Sequence, residues 1–150
     1  MQMLNFPQYT FRIQDENGKK LIFDSLRKKW VALAPEEWVR QHLVQYLISE
    51  KGFPSGLITV EQSLKYNGLT WRTDVLVYSK NRTPLLLAEC KAPEVEITQE
   101  TFNQAGRYNI VHKVPYLLIS NGLSHYCCFV DMANGKTQFL NEIPRYENLL

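Results

Sequence analysis

The sequence predicts an α/β protein. The expected core is a mixed central sheet flanked by helices in the order αβββαβ, with an N-terminal β-hairpin in front and a C-terminal β-extension behind. Three observations carry this. Apolar residues recur at helical spacing from Val39 to Ile48. Three apolar runs separated by turn signals fill residues 57–91. A second helical stretch then leads into the apolar run 114–120.

The elements follow in order. Residues 9–24 alternate and break at Asp15-Glu16-Asn17-Gly18, a turn signal that predicts a hairpin. Pro35-Glu36-Glu37 opens a helix, with proline in the first turn and acids where the helix dipole favours them. Val39, Leu43, Val44, Leu47 and Ile48 form its apolar face, and Gly52 after Lys51 ends it. Strands are expected over 57–66 and 69–78, joined by Asn67-Gly68, the strongest short hairpin signal in the chain. A turn from Ser79 to Pro84 leads to a third strand, 85–91. A helix is expected from Gln99 to about His112, then a buried strand over 114–120. Asn121-Gly122 turns it into 124–132, and Asn134-Gly135 precedes a last strand, 137–140.

With 150 residues, 45% hydrophobic and 21% charged, the chain has the composition of one ordinary globular domain. A single domain over 1–150 is expected, its core at about 35–125. Disorder and coiled coil do not fit. No stretch approaches the run of about 18 apolar residues that a membrane helix needs. The first residues, Met1 to Pro7, lack the pattern of a secretory signal. No membrane association and a cytoplasmic location are therefore expected. Cys90, Cys127 and Cys128 make no C-x-x-C pair and are expected to be small buried hydrophobes. Net charge is +2, from 17 basic and 15 acidic residues, which by itself is no argument for nucleic-acid binding. Arg27-Lys28-Lys29, and Lys80 with Arg82, are expected to be solvated faces.

The chemistry concentrates between Trp71 and Pro93. If the strands on either side of Ser79–Pro84 fold about its midpoint, residues whose numbers sum to about 163 stand opposite each other, and Asp74 faces Glu89. Directly opposite side chains lie roughly 4.5–5.5 Å apart at Cβ, within reach of one metal ion. Lys91 follows Glu89 by two and shares its face, while Cys90 points to the other. Two carboxylates that close repel unless a cation sits between them. Mg²⁺ takes one or two carboxylates with substrate phosphate and water. Lys91 could then orient the attacking water and stabilise charge on the phosphorane-like transition state. A one-residue slip would destroy this arrangement.

The flanking helices add candidates. Glu37 shares a helix face with Arg40 and could reach the metal or its water. Glu36 competes for that role, with dipole compensation as its simpler explanation. Gln104 and Tyr108 sit at i and i+4 on the later helix, where an amide and a phenol could hold a phosphate or base. Glu61 falls opposite Asp74 if Asn67-Gly68 is a two-residue turn, as a possible additional acid or an exposed strand residue. Arg72 and Lys113 are candidate phosphate contacts. His42, His112 and His125 lie on three different elements without ligand spacing, and Trp30, Trp38 and Trp71 are expected to be packing residues.

Four segments together resemble a known family. They are Pro35-Glu36-Glu37-Trp38-Val39-Arg40-Gln41, Arg72-Thr73-Asp74-Val75-Leu76-Val77-Tyr78, Leu87-Ala88-Glu89-Cys90-Lys91-Ala92-Pro93 and Gln104-Ala105-Gly106-Arg107-Tyr108-Asn109, with Ser120-Asn121-Gly122 later. Over roughly 20–125 the chain looks like the N-terminal nuclease domain of type I restriction enzyme R subunits, a branch of the PD-(D/E)xK superfamily. The resemblance implies a restriction-endonuclease-like fold and Mg²⁺-dependent hydrolysis of DNA phosphodiester bonds, with Mn²⁺ able to substitute. It implies Asp74 and Glu89 as metal ligands, Lys91 as the catalytic lysine, Glu37 as the helix acid, and Gln104 with Tyr108 as the auxiliary motif. Thr73 stands where the motif's name has proline. DNA and a motor or restriction-complex subunit are the implied partners. These residues contain no G-x-x-x-x-G-K-[ST] phosphate loop, so ATP-driven translocation is not expected of them. A nuclease is the first expectation. A DNA- or protein-binding module on the same fold is the alternative.

Overall fold

The computed structural model describes residues 1–131 and 133–149, and for residues 64, 66, 108 and 110–112 the course of the backbone alone. Its centre is a six-stranded mixed sheet between two helices. The chain first forms β1 (Ile13–Glu16), β2 (Lys19–Asp24) and β3 (Lys29–Ala32), a separate antiparallel sheet. The expected hairpin is thus the first part of a three-stranded sheet. The third strand follows a turn without glycine or proline: Asp24 accepts bonds from the backbone N–H groups of Leu26 and Arg27 at 2.8 and 3.0 Å, and Lys28 takes the left-handed conformation at φ +54°.

Helix α1 (Pro35–Ser49) carries proline and two acids in its first turn. Val39, Leu43 and Leu47 on its inner face are fully buried. The central sheet is assembled from β4 (Ile58–Val60), β7 (Val75–Tyr78), β8 (Pro84–Cys90), β9 (Tyr116–Ser120), β10 (His125–Asp131) and β11 (Lys136–Phe139), and its order is β11-β10-β9-β8-β7-β4. Among the described residues only β8 and β9 pair in parallel, across the crossover through helix α2 (Gln99–His112). Burial on both faces explains the near-continuous apolar runs in β7, β8 and β9. Val75, Val77, Leu86 and Ala88 pack toward α1, whereas Leu76, Leu87 and Ile119 pack with Ala105 of α2.

The two strands expected over 57–66 and 69–78 are each divided. Their distal halves, β5 (Ser63–Tyr66) and β6 (Leu69–Arg72), leave the central sheet as a two-stranded ribbon. The hairpin register runs unbroken through the division, from Val60↔Val75 to Ser63↔Arg72. The cause is local: Glu61 is left-handed at φ +51°, which turns the ribbon away. Backbone bonds from Glu61 N–H to Asp74 O (3.1 Å) and from Thr73 N–H to Gln62 O (2.9 Å) close its neck.

A capping box between Thr98 and Thr101 starts α2, and left-handed Lys113 ends it. Asn109 then bonds both the N–H and the carbonyl of Val114, which sets the entry to β9. The N-terminal segment lies across the sheet end, with Leu4 buried and Asn5 N–H bonded to Gly122 O at 2.7 Å. Among the described residues, no helix is long and apolar enough to cross a membrane.

Candidate active site

β7 and β8 pair Val75↔Ala88, Leu76↔Leu87 and Val77↔Leu86, the register expected from the Ser79–Pro84 turn. One step further along that ladder stand Asp74 and Glu89. Glu89 shares a sheet face with Leu87, and Lys91 follows just past the end of β8. Lys91 Nζ lies 3.1 Å from Glu89 Oε1, with both side chains about one-third exposed. The backbone N–H of Lys91 donates to Ser120 O at 2.8 Å, tying this corner to β9. Asp74 precedes β7 rather than lying in it. Its Oδ2 accepts the Cys90 N–H at 2.8 Å, so a side chain replaces the ladder where the strand has turned away.

Asp74 and Glu89 line one depression of about 160 Å³ together with Trp71, Arg72, Thr73, Gln104 and Ala105. The α2 amide Gln104 is therefore brought to the two carboxylates. The side chain of Tyr108 lies outside the described residues. Burial raises the Asp74 carboxyl above its usual range and the Glu89 charge adds to this, against the Cys90 N–H bond and the charges of Arg40 and Lys91. A cation would reverse that penalty. The donors are hard carboxylate oxygens that solvent reaches, which suits Mg²⁺ or Mn²⁺. Among the described residues no three acids, histidines or cysteines are grouped to hold a metal by themselves. A bound ion would take its remaining ligands from outside these side chains.

On the other face of the sheet, α1 presents a buried charge network. Arg40 donates from Nε to Glu37 Oε2 (3.1 Å), and from Nη2 to Glu37 Oε1 (2.5 Å) and Glu61 Oε1 (3.1 Å). Its Nη1 lies 3.9 Å from Asp74 Oδ1, so the network ends at the candidate site. Burial would lower the Arg40 pKa, but the hydrogen bonds and charge of Glu37, then of Glu61, outweigh it and push it up. Glu37 is also bound by Arg27 (3.0 Å) and Gln41 (2.9 Å). Burial would raise its carboxyl, and Arg40, Gln41 and Arg27 together hold it below the usual range. Glu37 thus meets Asp74 through Arg40. Glu36, one residue earlier, is exposed and forms no ion pair among the described residues.

Glu61 bonds Arg27, Arg40 and Arg72 at 3.3, 3.1 and 3.3 Å, and so is a junction of charges rather than a lone strand acid. Arg72 is exposed at the ribbon's neck and lines the depression, whereas Lys113 stands at the far end of α2, about 13 Å along the helix from Gln104. Arg27 departs from the solvated basic face expected of its cluster. Its guanidinium bonds Asp24 at 2.6 Å, Glu37 and Glu61, while Lys28 and Lys29 are exposed. Asp24 is the member that sequence reasoning missed. Burial would raise its carboxyl, but bonds and charge from Arg27 with the Leu26 N–H hold it low. The one signal for it was an acid placed just before a turn.

The remaining candidates serve packing. Cys90, Cys127 and Cys128 are free and buried, and burial pushes Cys127 up to about 12 and Cys128 up to about 11, so neither supplies a thiolate at neutral pH. His42 bonds Trp38 O through Nδ1 at 2.8 Å, and His125 bridges Ser120 Oγ and Asn5 O. The side chain of His112 lies outside the described residues.

Comparisons with known proteins bear on this arrangement. A fragment assigned as an HsdR subunit of a type I restriction enzyme from Vibrio vulnificus YJ016 is similar in structure, with a TM-score of 0.51 and 22% identity over 71% of this chain. At that identity the likeness speaks for the fold. This chain corresponds to 22% of that one, about a fifth of its length. No curated protein matches the sequence. The family model described as Type I restriction enzyme R protein N terminus (HSDR_N) matches residues 35–144, which hold α1, β7, β8 and α2 with Glu37, Glu61, Asp74 and Glu89. The chain belongs to the family of type I restriction enzyme R protein N-terminal domains.

Proposed function

We propose that this domain is a Mg²⁺-dependent nuclease that hydrolyses DNA phosphodiester bonds, and that it works beside a motor or another subunit of a restriction complex. The observation that carries the reading is the convergence of Asp74, Glu89 and Lys91 at one corner of the sheet, with Gln104 lining the same depression. Asp74 and Glu89 would hold the Mg²⁺, with Mn²⁺ able to substitute. When bound, the ion supplies charge neutralisation at phosphate oxygens and a water of lowered pKa. Lys91, already held at 3.1 Å from Glu89, donates hydrogen bonds to the attacking water and to the oxygen on which charge develops. Gln104 and Tyr108 would orient the phosphate or the adjacent base. Glu37 acts as a positioning residue through Arg40, whose guanidinium approaches Asp74 from behind.

A second reading rests on the same geometry. Arg40 at 3.9 Å from Asp74 and Lys91 at 3.1 Å from Glu89 already place a protein cation beside each carboxylate, which suits a binding module that never loads a metal. Incubation of plasmid and single-stranded DNA with the protein, with Mg²⁺, Mn²⁺ or EDTA and alongside Lys91→Ala, separates the two. The nuclease cleaves only with a divalent ion and loses cleavage with Lys91→Ala. Cleavage that survives EDTA or that substitution refutes the mechanism, and no cleavage of any substrate favours the module.

A further inference from the structure

Among the described residues, none of the β5–β6 ribbon belongs to either core cluster, yet the ribbon grows directly out of the site. Glu61 and Asp74 form the two sides of its neck, joined by the Glu61 N–H to Asp74 O bond. Trp71, Arg72 and Thr73 on its returning arm line the depression that holds Asp74 and Glu89. Within the ribbon, Ser63 pairs with Arg72 and Lys65 with Thr70. Opposed pairs two residues apart share a face, so these four residues make one polar surface of two cations and two hydroxyls. All four are exposed, and the segment 62–73 contains no acid, while Arg72 at its base also bonds Glu61 of the neck at 3.3 Å. Lys65 forms no ion pair among the described residues, although the chain carries nearly as many acids as bases.

The dimensions select a partner. Two four-residue strands project about 13 Å beyond the neck. A two-stranded ribbon fits the major groove of B-form DNA, about 12 Å wide and about 8.5 Å deep, but not the minor groove at about 6 Å. The major groove of A-form RNA is too narrow to admit it. We propose that the β5–β6 ribbon is a DNA-docking arm that enters the major groove of duplex DNA and sets the backbone beside Asp74 and Glu89, with Lys65 and Arg72 on phosphates and Ser63 and Thr70 at phosphates or base edges. This rests on the nuclease reading for its substrate, but its own claim concerns binding.

Fluorescence anisotropy in EDTA, with a labelled duplex of about 30 base pairs, the matching single strand and a double-stranded RNA, isolates binding from cleavage. Two variants are compared with the wild type: Lys65→Glu, and a chain in which residues 63–72 are replaced by Asn-Gly so that the neck closes directly. The exposed position of Lys65 predicts an unchanged thermal melt for Lys65→Glu, which serves as the folding control. Wild type is expected to prefer the DNA duplex. Lys65→Glu is expected to bind it roughly three- to tenfold more weakly at moderate salt, with the log–log salt slope smaller by about one. Duplex binding by both variants equal to wild type overturns the proposal, as does a wild-type preference for single strands or RNA. Ribbon-dependent binding without cleavage in Mg²⁺ upholds the arm and ends the nuclease reading. Cleavage indifferent to the ribbon does the reverse.

Discussion

Arg40→Met removes the guanidinium at the centre of the α1 network while keeping an unbranched apolar chain of similar length. Arg40 and Glu37 are respectively 8% and 6% exposed at the side chain, so the substitution leaves a carboxylate buried. Removing one partner of a buried pair costs about 3–5 kcal/mol. Glu37 keeps its bonds from Arg27 at 3.0 Å and Gln41 at 2.9 Å, which places the cost at the lower end, about 3 kcal/mol. In a domain of this size each kcal/mol moves Tm by about 2–4 °C, so thermal unfolding at pH 7 is expected about 6–12 °C below wild type. The effect should also reach the site, because Arg40 is among the charges that lower the Asp74 carboxyl. Without it that carboxyl titrates higher, and NMR titration of the Asp74 side chain reads the change. A fall in Tm below about 2 °C, with Asp74 titrating as in wild type, would refute the claim that this network supports the site.

Other perturbations test separate parts. Asp74→Asn keeps an acceptor for the Cys90 N–H but removes a carboxylate that burial and Glu89 hold above its usual range, so the metal-free variant should melt higher than wild type. Because the folded value is raised, that advantage should be full at neutral pH and vanish once pH falls below the ordinary carboxylate range; an advantage independent of pH argues against the electrostatic cause. Asp24 and Glu37 behave oppositely: both are held low in the folded state, so their stabilisation is present above about pH 4 and is lost as pH falls through their depressed values. Acid unfolding should therefore begin at a higher pH in Arg27→Met than in wild type. At Gly122, φ is +87° and an added Cβ would lie 2.8 Å from a Leu4 methyl, so Gly122→Ala should cost at least the left-handed penalty of about 1–2 kcal/mol and speed proteolysis of the N-terminal segment.

Much of this architecture was legible in the chain. Asn67-Gly68 and the Ser79–Pro84 turn fix hairpin lengths, and with period-two alternation that is enough to set which residues oppose each other. Asp74 and Glu89 could therefore be placed side by side from numbering alone, and the observed ladder carries that register up to the residue beside them. The division of the long strands was not legible, because it turns on left-handed Glu61, a residue type with no local preference for that conformation. The same holds for left-handed Lys28, which hid the third strand of the N-terminal sheet. Arg27 and Asp24 are invisible for a different reason. A basic triplet reads as solvated until tertiary packing brings Glu37 and Glu61 from elsewhere in the chain to meet it.

The most direct test of the central claim is a Mn²⁺ titration of the protein followed by electron paramagnetic resonance, comparing wild type with Asp74→Asn and Glu89→Gln. The account predicts saturable Mn²⁺ binding in wild type, displaced by Mg²⁺ and abolished or greatly weakened in each variant. Binding that is undiminished in both variants would contradict the assignment of Asp74 and Glu89 as the metal ligands.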